Sequence, residues 1–168
     1  MPLPVCKRVR ACRNKKVHGR EYCGYCVAKK EKFYGFRLHL IVNTNGIPAS
    51  IAILPGAYHD LTPVYEITAA LPPNATVIGD KAFNSASDEK ELQKFGITMM
   101  PRRRKNMKKQ WSLFQEKFII AEHRERVETS FSILSDVMGL NRLKATTLPG
   151  FMLKTYAAVL AMIFYLAF

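Results

Sequence analysis

The sequence predicts an α/β fold, in which a mixed sheet is flanked by helices, from three observations. Two aromatic and β-branched runs are separated by an Asn-Gly turn, and short apolar runs after them alternate with segments of helical periodicity. The chain has 168 residues, of which 48% are hydrophobic, so it can bury a core of its own. This length fits one domain, and we expect residues 1–168 to form it.

The first part of the chain has the composition of strands. Residues 3–6 read as the last part of a strand, and a basic loop is expected up to residue 32. Residues 33–42 and 47–54 are then predicted to form a hairpin, because the intervening Asn45-Gly46 favours the tight turns that join antiparallel strands.

The later elements alternate between helix and strand. Thr62 and Pro63 are suited to begin a helix that extends to about residue 71, and Asn84 or Ser85 is suited to cap a second helix that ends before Gly96. The remaining predicted elements are strands over residues 76–79 and 97–100 and helices over residues 113–138 and 149–168.

The charge of the protein indicates a polyanionic partner. Lys and Arg number 26 against 13 Asp and Glu, which gives a formal net charge of +13. The basic residues cluster at positions 7–20 and 101–109, where they could neutralise backbone phosphates. Each cluster alone could equally be a solvated face. Together they favour DNA as the partner, ahead of an anionic membrane.

All four cysteines lie in the first 26 residues. Cys23 and Cys26 have the C-x-x-C spacing of a zinc knuckle, but Cys6 and Cys12 are too far apart for a second one, although His18 is near. We therefore favour free thiols in a reducing cytoplasm over a zinc site.

The start and the end of the chain both bear on location. The first residues, Met-Pro-Leu-Pro, lack the apolar core of a signal peptide. The last predicted helix is apolar, but Lys154 interrupts it, and residues 155–168 are too few to cross a bilayer of about 30 Å. We expect this helix to pack within the protein or on a partner subunit, with no membrane as partner.

Two carboxylates are placed where metal-dependent chemistry could use them. Asp80 follows the predicted strand 76–79, and Glu128 lies on the long helix. Cleavage of phosphodiesters by a two-metal mechanism requires carboxylates on rigid elements, because hard cations such as Mg²⁺ prefer oxygen ligands. Taken singly, such an Asp is more often a turn residue, and such a Glu is more often half of a surface ion pair.

The motifs around these acids resemble a known family. Residues 79–85, Gly-Asp-Lys-Ala-Phe-Asn-Ser, and residues 124–134 are similar to the blocks around the second and third acids of bacterial insertion-sequence transposases of the DDE type. Residues 54–61 resemble the segment between the first two acids. The likeness covers nearly the whole chain, and the order and spacing of the blocks make it specific.

The resemblance implies an RNase H-like core with the first strand partly missing. In it, Asp80 and Glu128 would be catalytic and bind Mg²⁺, with Mn²⁺ as an alternative, at transposon ends and target DNA. His59 and Asp60 would lie behind these ligands, and a homo-oligomer is left open. The residues expected to contact DNA are Lys81, Arg102, Arg103, Arg104, Lys105, Arg124 and Arg126.

The sequence also departs from the family pattern. The strand that carries the first acid should precede Pro4-Val5-Cys6, yet no acid precedes Cys6, and Ala121 and Ser135 replace an expected tyrosine and lysine. We therefore expect an N-terminally truncated, C-terminal part of a longer transposase. Its function would be DNA cleavage and strand transfer in transposition, and the alternative is an inactive fragment that binds DNA or an intact transposase. Its location would be the bacterial cytoplasm, in association with the nucleoid.

Overall fold

The fold was established from a computed structural model, which describes residues 1–27, 29–108 and 110–168, apart from the side chains of Phe118, Glu122 and Arg124. It contains helices and strands in the mixture that the sequence predicts. The strands are β1 (Pro2–Lys7), β2 (Cys23–Cys26), β3 (Glu31–Val42), β4 (Pro48–Pro55), β5 (Thr76–Gly79) and β6 (Thr98–Pro101). The α-helices are α1 (Val64–Thr68), α2 (Ala86–Lys94), α3 (Ala121–Ser132) and α4 (Leu148–Ala167).

The longest strand, β3, is the centre of a four-stranded antiparallel sheet. On one edge it pairs with β1, with Leu3 opposite Phe36, and on the other edge it pairs with β2 and then β4. The predicted hairpin is confirmed: Asn43 Oδ1 accepts hydrogen bonds from the backbone of Asn45 and Ile47, and Gly46 takes a positive φ of 81°. Asn and Gly suit this turn because both tolerate left-handed backbone angles.

Strand β2 lies in the segment that the sequence predicts to be a basic loop. Its Gly24 is opposite Phe33, and a Cβ at Gly24 would lie only 2.2 Å from Cζ of Phe33. The strand therefore forms because glycine allows the Phe33 ring to cross it. Four residues without hydrophobic alternation give no local signal for such a contact.

Strands β5 and β6 form a separate parallel sheet, with Val77 opposite Met99. Helix α2 connects them, and the Oγ of Ser85 accepts the backbone N–H of Asp88 as its N-cap. Gly96, with a φ of 76°, follows this helix as predicted. The sequence predicts one mixed sheet, but within the described residues β5 pairs only with β6, so the structure has two sheets.

Helix α1 is shorter than predicted. It begins at Val64 rather than near Thr62, Pro63 is its N-cap, and no side chain caps it. Thr68 ends it, with its hydroxyl donating to the Val64 carbonyl at 2.6 Å. Residues 69–70 and 73–74 form turns after it, and the helix does not continue through Pro72 and Pro73, since proline lacks the N–H that a helix requires.

The C-terminal helices cover one face of the large sheet. The predicted helix over 113–138 consists of α3 flanked by wide π turns at Gln115–Ile120 and Ile133–Val137. Helix α4 packs Phe151 on Phe36, with their ring centroids 5.7 Å apart, and buries Met162 completely.

Helix α4 is also the one helix, among the described residues, that is long and apolar enough to cross a membrane by length and composition. Core helices pass the same test. Its exposed side carries Leu153, Leu160 and Phe164.

Candidate active site and basic surface

Asp80 and Glu128 line one cavity of about 330 Å³. Asp80 stands directly after β5, where its carbonyl accepts the N–H of Phe83 at 3.0 Å and begins a single 3₁₀ turn. Glu128 projects from α3, and both carboxylates are exposed to solvent. The structure thus brings together two acids that the sequence places on separate motifs.

The walls of this cavity come from β3, β5 and α3. Leu38, Leu40 and Ile41 line it from the large sheet, and Val77 and Ile78 line it from the small one. Polar groups also reach it, and these are His39, Asp60, Arg102 and His123. The acids therefore lie at the mouth of a mainly apolar cleft between the two sheets.

Asp60 lines the same cavity, whereas His59 is exposed and does not. The Asp60 carboxylate lies 3.6 Å from the guanidinium of Arg37. Arg37 is itself fixed, because it donates to the carbonyls of Gly56 at 2.9 Å and Tyr25 at 2.8 Å. Asp60 is thus positioned by an arginine of the central strand.

The donor set does not complete a metal site. Among the residues with described side chains, no group of three or more His, Cys, Asp or Glu could hold a metal ion. Asp80 and Glu128 offer the oxygen ligands that Mg²⁺ or Mn²⁺ prefers, but a stable site needs further donors. The two acids alone do not fit a resident metal.

Two of the four cysteines, Cys6 and Cys23, lie on opposite sides of the central strand. Cys6 and Cys23 pair with Tyr34 from opposite edges of β3, so they are about 10 Å apart, two strand spacings. Zinc holds its thiolates at about 2.3 Å from the metal. All four cysteines are free thiols in this structure.

His39 is a buried residue of the cavity that the sequence reasoning missed. Its side chain is 7% exposed, and its Nε2 has no hydrogen-bond partner among the described groups. Burial, and then the nearby Met1 ammonium, lower the pKa of His39 to about 4. Burial also lowers the pKa of the Met1 amine to about 6. The sequence feature that could have indicated a buried histidine is its position within the apolar run of β3.

Arg103 belongs to the predicted DNA-contacting set, but it is buried. Its guanidinium donates to both carboxylate oxygens of Glu89, one at 2.8 Å, and to Oδ1 of Asn84 at 3.0 Å. It also stacks on Trp111, 4.5 Å from the ring centroid. Arg103 therefore attaches the basic loop to α2 and is not exposed to DNA phosphates. Sequence alone could not separate it from its neighbours, because Arg102, Arg103 and Arg104 are chemically identical.

The other predicted DNA-contacting residues have different positions. Arg102 is partly buried and lines the cavity of the two acids as well as a neighbouring one of about 480 Å³ that includes Lys117. The side chain of Arg124 lies outside the described part of the chain. The exposed members are Lys81, Arg104, Lys105 and Arg126.

Comparison with known proteins identifies one family. A family model described as Transposase DDE domain matches residues 1–146. No curated protein and no solved structure gives a match.

The buried His39 should make stability fall in mild acid. The folded protein keeps His39 neutral down to about pH 4, whereas the unfolded chain protonates it near 6.5, so the unfolded state binds more protons between these values. Between pH 6 and pH 5 we expect the wild type to lose about 1 kcal/mol of unfolding free energy from this group. Urea denaturation of wild type and His39→Gln measures it.

The unfolding free energy of His39→Gln should depend less on pH than that of the wild type. The control His59→Gln, which alters an exposed histidine, should keep the wild-type slope. The same slope in wild type and His39→Gln would contradict this account.

Because Arg103 is buried, removing the Glu89 carboxylate that pairs with it should lower the free energy of unfolding considerably. Glu89→Ala leaves a buried cation without its carboxylate, and we expect a loss of about 3–5 kcal/mol in unfolding free energy. Glu91→Ala is the matched control on the same helix, because Glu91 forms an exposed pair with Lys94, and it should cost at most about 1 kcal/mol. Chemical denaturation gives both values, and similar losses would show that Arg103 does not depend on Glu89.

Proposed function

Because the chain belongs to the DDE transposase family, we propose that it acts on the DNA of an insertion sequence, in the cleavage and strand transfer of transposition. The observation that carries the proposal is the meeting of Asp80 and Glu128 in one cavity, at the end of β5 and on α3. Carboxylates on two rigid elements beside partly buried Arg102 are suited to phosphodiester chemistry, since acids bind cations and arginine binds phosphate.

We also infer an RNase H-like arrangement. The antiparallel sheet of β1 to β4 would be one half of it, and the parallel pair β5 and β6 would be the other. Helix α3 contacts both β3 and β5, which supports a common core. In this arrangement Asp80 and Glu128 are the second and third acids, with Asp60 oriented by Arg37 close behind.

The incomplete donor set limits what the chain does by itself. Two carboxylates are too few for a resident Mg²⁺, so no metal-dependent step is assigned to the described residues alone. In our proposal a further donor, the first acid of the family, is required before DNA is cut. This observation favours a second function, in which the chain binds DNA or an intact transposase without cutting.

DNA binding would depend on the exposed basic residues. Lys81 follows Asp80 directly, Arg104 and Lys105 lie on the loop that Arg103 attaches to α2, and Arg126 lies on α3. Each can neutralise one backbone phosphate and release counterions, whatever the base sequence. The buried Arg103 supports this surface by fixing the loop.

The loop contacts should be visible in the salt dependence of DNA binding. Each lost phosphate contact lowers the slope of log K against log salt by about 0.9, so the double variant Arg104→Ala, Lys105→Ala should lose about 2. Fluorescence anisotropy with labelled duplex DNA at several salt concentrations measures the slope. The control, Lys90→Ala with Lys94→Ala, removes the same charge from exposed positions on α2. An equal loss in both variants would exclude a specific role for the loop.

The two acids should be required for any DNA cutting. We expect Asp80→Asn and Glu128→Gln each to reduce Mg²⁺-dependent cleavage and strand transfer by roughly 100-fold or more while DNA binding is retained. The assay uses DNA that flanks the coding sequence, and Glu66→Gln, which alters an exposed acid outside the cavity, is the control.

Binding without cutting by the wild type would support the second function. Cleavage that both variants retain would overturn the assignment of the site.

A further inference from the structure

Asn84 is a polar residue of the Asp80 motif whose side chain does not cap a helix. The sequence offers Asn84 or Ser85 for that role, and in the structure the Oγ of Ser85 accepts the N–H that the cap must satisfy. The side chain of Asn84 is half-buried and contacts the chain just beyond β6, where the basic loop starts. Its contacts therefore indicate a role other than capping.

The amide of Asn84 makes three hydrogen bonds. Its Nδ2 donates to the carbonyls of Lys81, at 3.0 Å, and Arg102, at 2.7 Å. Its Oδ1 accepts from the guanidinium of Arg103 at 3.0 Å. Carbonyl oxygens only accept and a guanidinium only donates, so these partners allow a single orientation of the amide. An asparagine satisfies all three, whereas an aspartate of the same size lacks both donors.

These contacts close a hydrogen-bonded ring around Asp80. The backbone N–H of Arg102 donates to the carbonyl of Gly79 at 2.9 Å. The carbonyl of the same Arg102 accepts from the Asn84 amide. Between these two anchors, the Asp80 carbonyl accepts the N–H of Phe83 at 3.0 Å. The segment that carries Asp80 is thus tied at both of its ends to one residue, Arg102.

Arg102 is also the arginine that lines the cavity of the two acids. The position of its backbone determines where its guanidinium starts, and the ring fixes that backbone relative to Asp80. The ring is supported from outside, because the Arg103 that donates to Asn84 is itself held by Glu89 at 2.8 Å. Such support matters, since a misplacement of about 1 Å in a reactive site can lower a rate by roughly 100-fold.

We propose that Asn84 is a positioning residue, which holds Asp80 and Arg102 at a fixed spacing for the binding of DNA. It acts through the backbone of the ring and does not itself contact the DNA. The inference rests on the proposed function, because it gives a purpose to the spacing between a carboxylate and a phosphate-binding arginine. The ring is a property of the folded chain, so it can be tested without DNA.

The first measurement is amide hydrogen exchange of the whole chain at neutral pH, followed by NMR. Asn84→Asp keeps the size of the side chain and the acceptor for Arg103 but loses both donors. We expect the N–H groups of Phe83 and Arg102 to exchange roughly tenfold faster in this variant. The N–H of Thr98, which bonds at the other end of the β5–β6 pair, is the reference and should change less than roughly twofold.

Two control variants separate this role from a general loss of stability and from an added charge. Ser85→Ala removes the cap of α2 from the adjacent residue, and Asn141→Asp adds the same charge at an exposed position outside the cavities. Neither control should speed the two amides of the ring relative to the reference amide. Wild-type exchange in Asn84→Asp, or equal acceleration of the reference amide, would overturn the proposal.

The second measurement tests whether DNA binding uses the spacing. Asn84→Ala, Arg102→Ala and the double variant are titrated with labelled duplex DNA at one salt concentration. Arg102→Ala keeps the backbone carbonyl but has no guanidinium to position, so Asn84→Ala should weaken binding at least roughly threefold more in the wild type than in Arg102→Ala. Equal weakening in both backgrounds would overturn the proposal. A wild type that does not bind DNA would contradict the proposed function, and the exchange measurement tests the ring independently of it.

Discussion

The pairing of β3 on both of its edges is the interaction on which the rest of the structure depends. Antiparallel ladders pair its backbone with β1 as far as Leu38 on one edge and with β2 and β4 on the other, while Leu38 and Phe36 reach the core beneath α4 and the opposite face carries Arg37 and His39. Burying such a strand is favourable only when its peptide groups are paired. Where the ladder to β1 ends, past Leu38, the cleft and the candidate site begin.

The acids of the candidate site have defined positions, but they do not form a complete set of metal ligands among the described side chains. Asp80 is held by the end of β5, Glu128 by a helix that contacts both sheets, and Asp60 by an ion pair to the central strand. Separately, Glu89, Asn84 and Trp111 fix the buried Arg103 and with it the start of the basic loop. Yet the acids remain too few to hold a metal among the described side chains. The chain is therefore a transposase DDE domain with an exposed basic surface, whose described acids do not complete a metal site.

The sequence predicted correctly those elements whose formation depends only on a few neighbouring residues. The Asn45-Gly46 turn, the Ser85 cap and the apolar run that ends at Asp80 each depend on a few neighbouring residues, and the structure has them at the predicted positions. Strand β2 and the length of α1 were not predicted, because both depend on distant partners such as Phe33. The split into two sheets was missed for the same reason, as strand pairing is not encoded in either strand alone.

The sequence by itself determined the strongly basic charge, the family blocks around Asp80 and Glu128, and the periodicity of the long helices, because each is a property of residue type and spacing. Only the tertiary structure decided which arginine of 102–104 is buried, that Nε2 of His39 has no hydrogen-bond partner among the described groups, and that β3 and β5 line the same cavities. Burial and strand pairing are set by contacts between segments far apart in the chain. Identical residue types can therefore end in opposite environments.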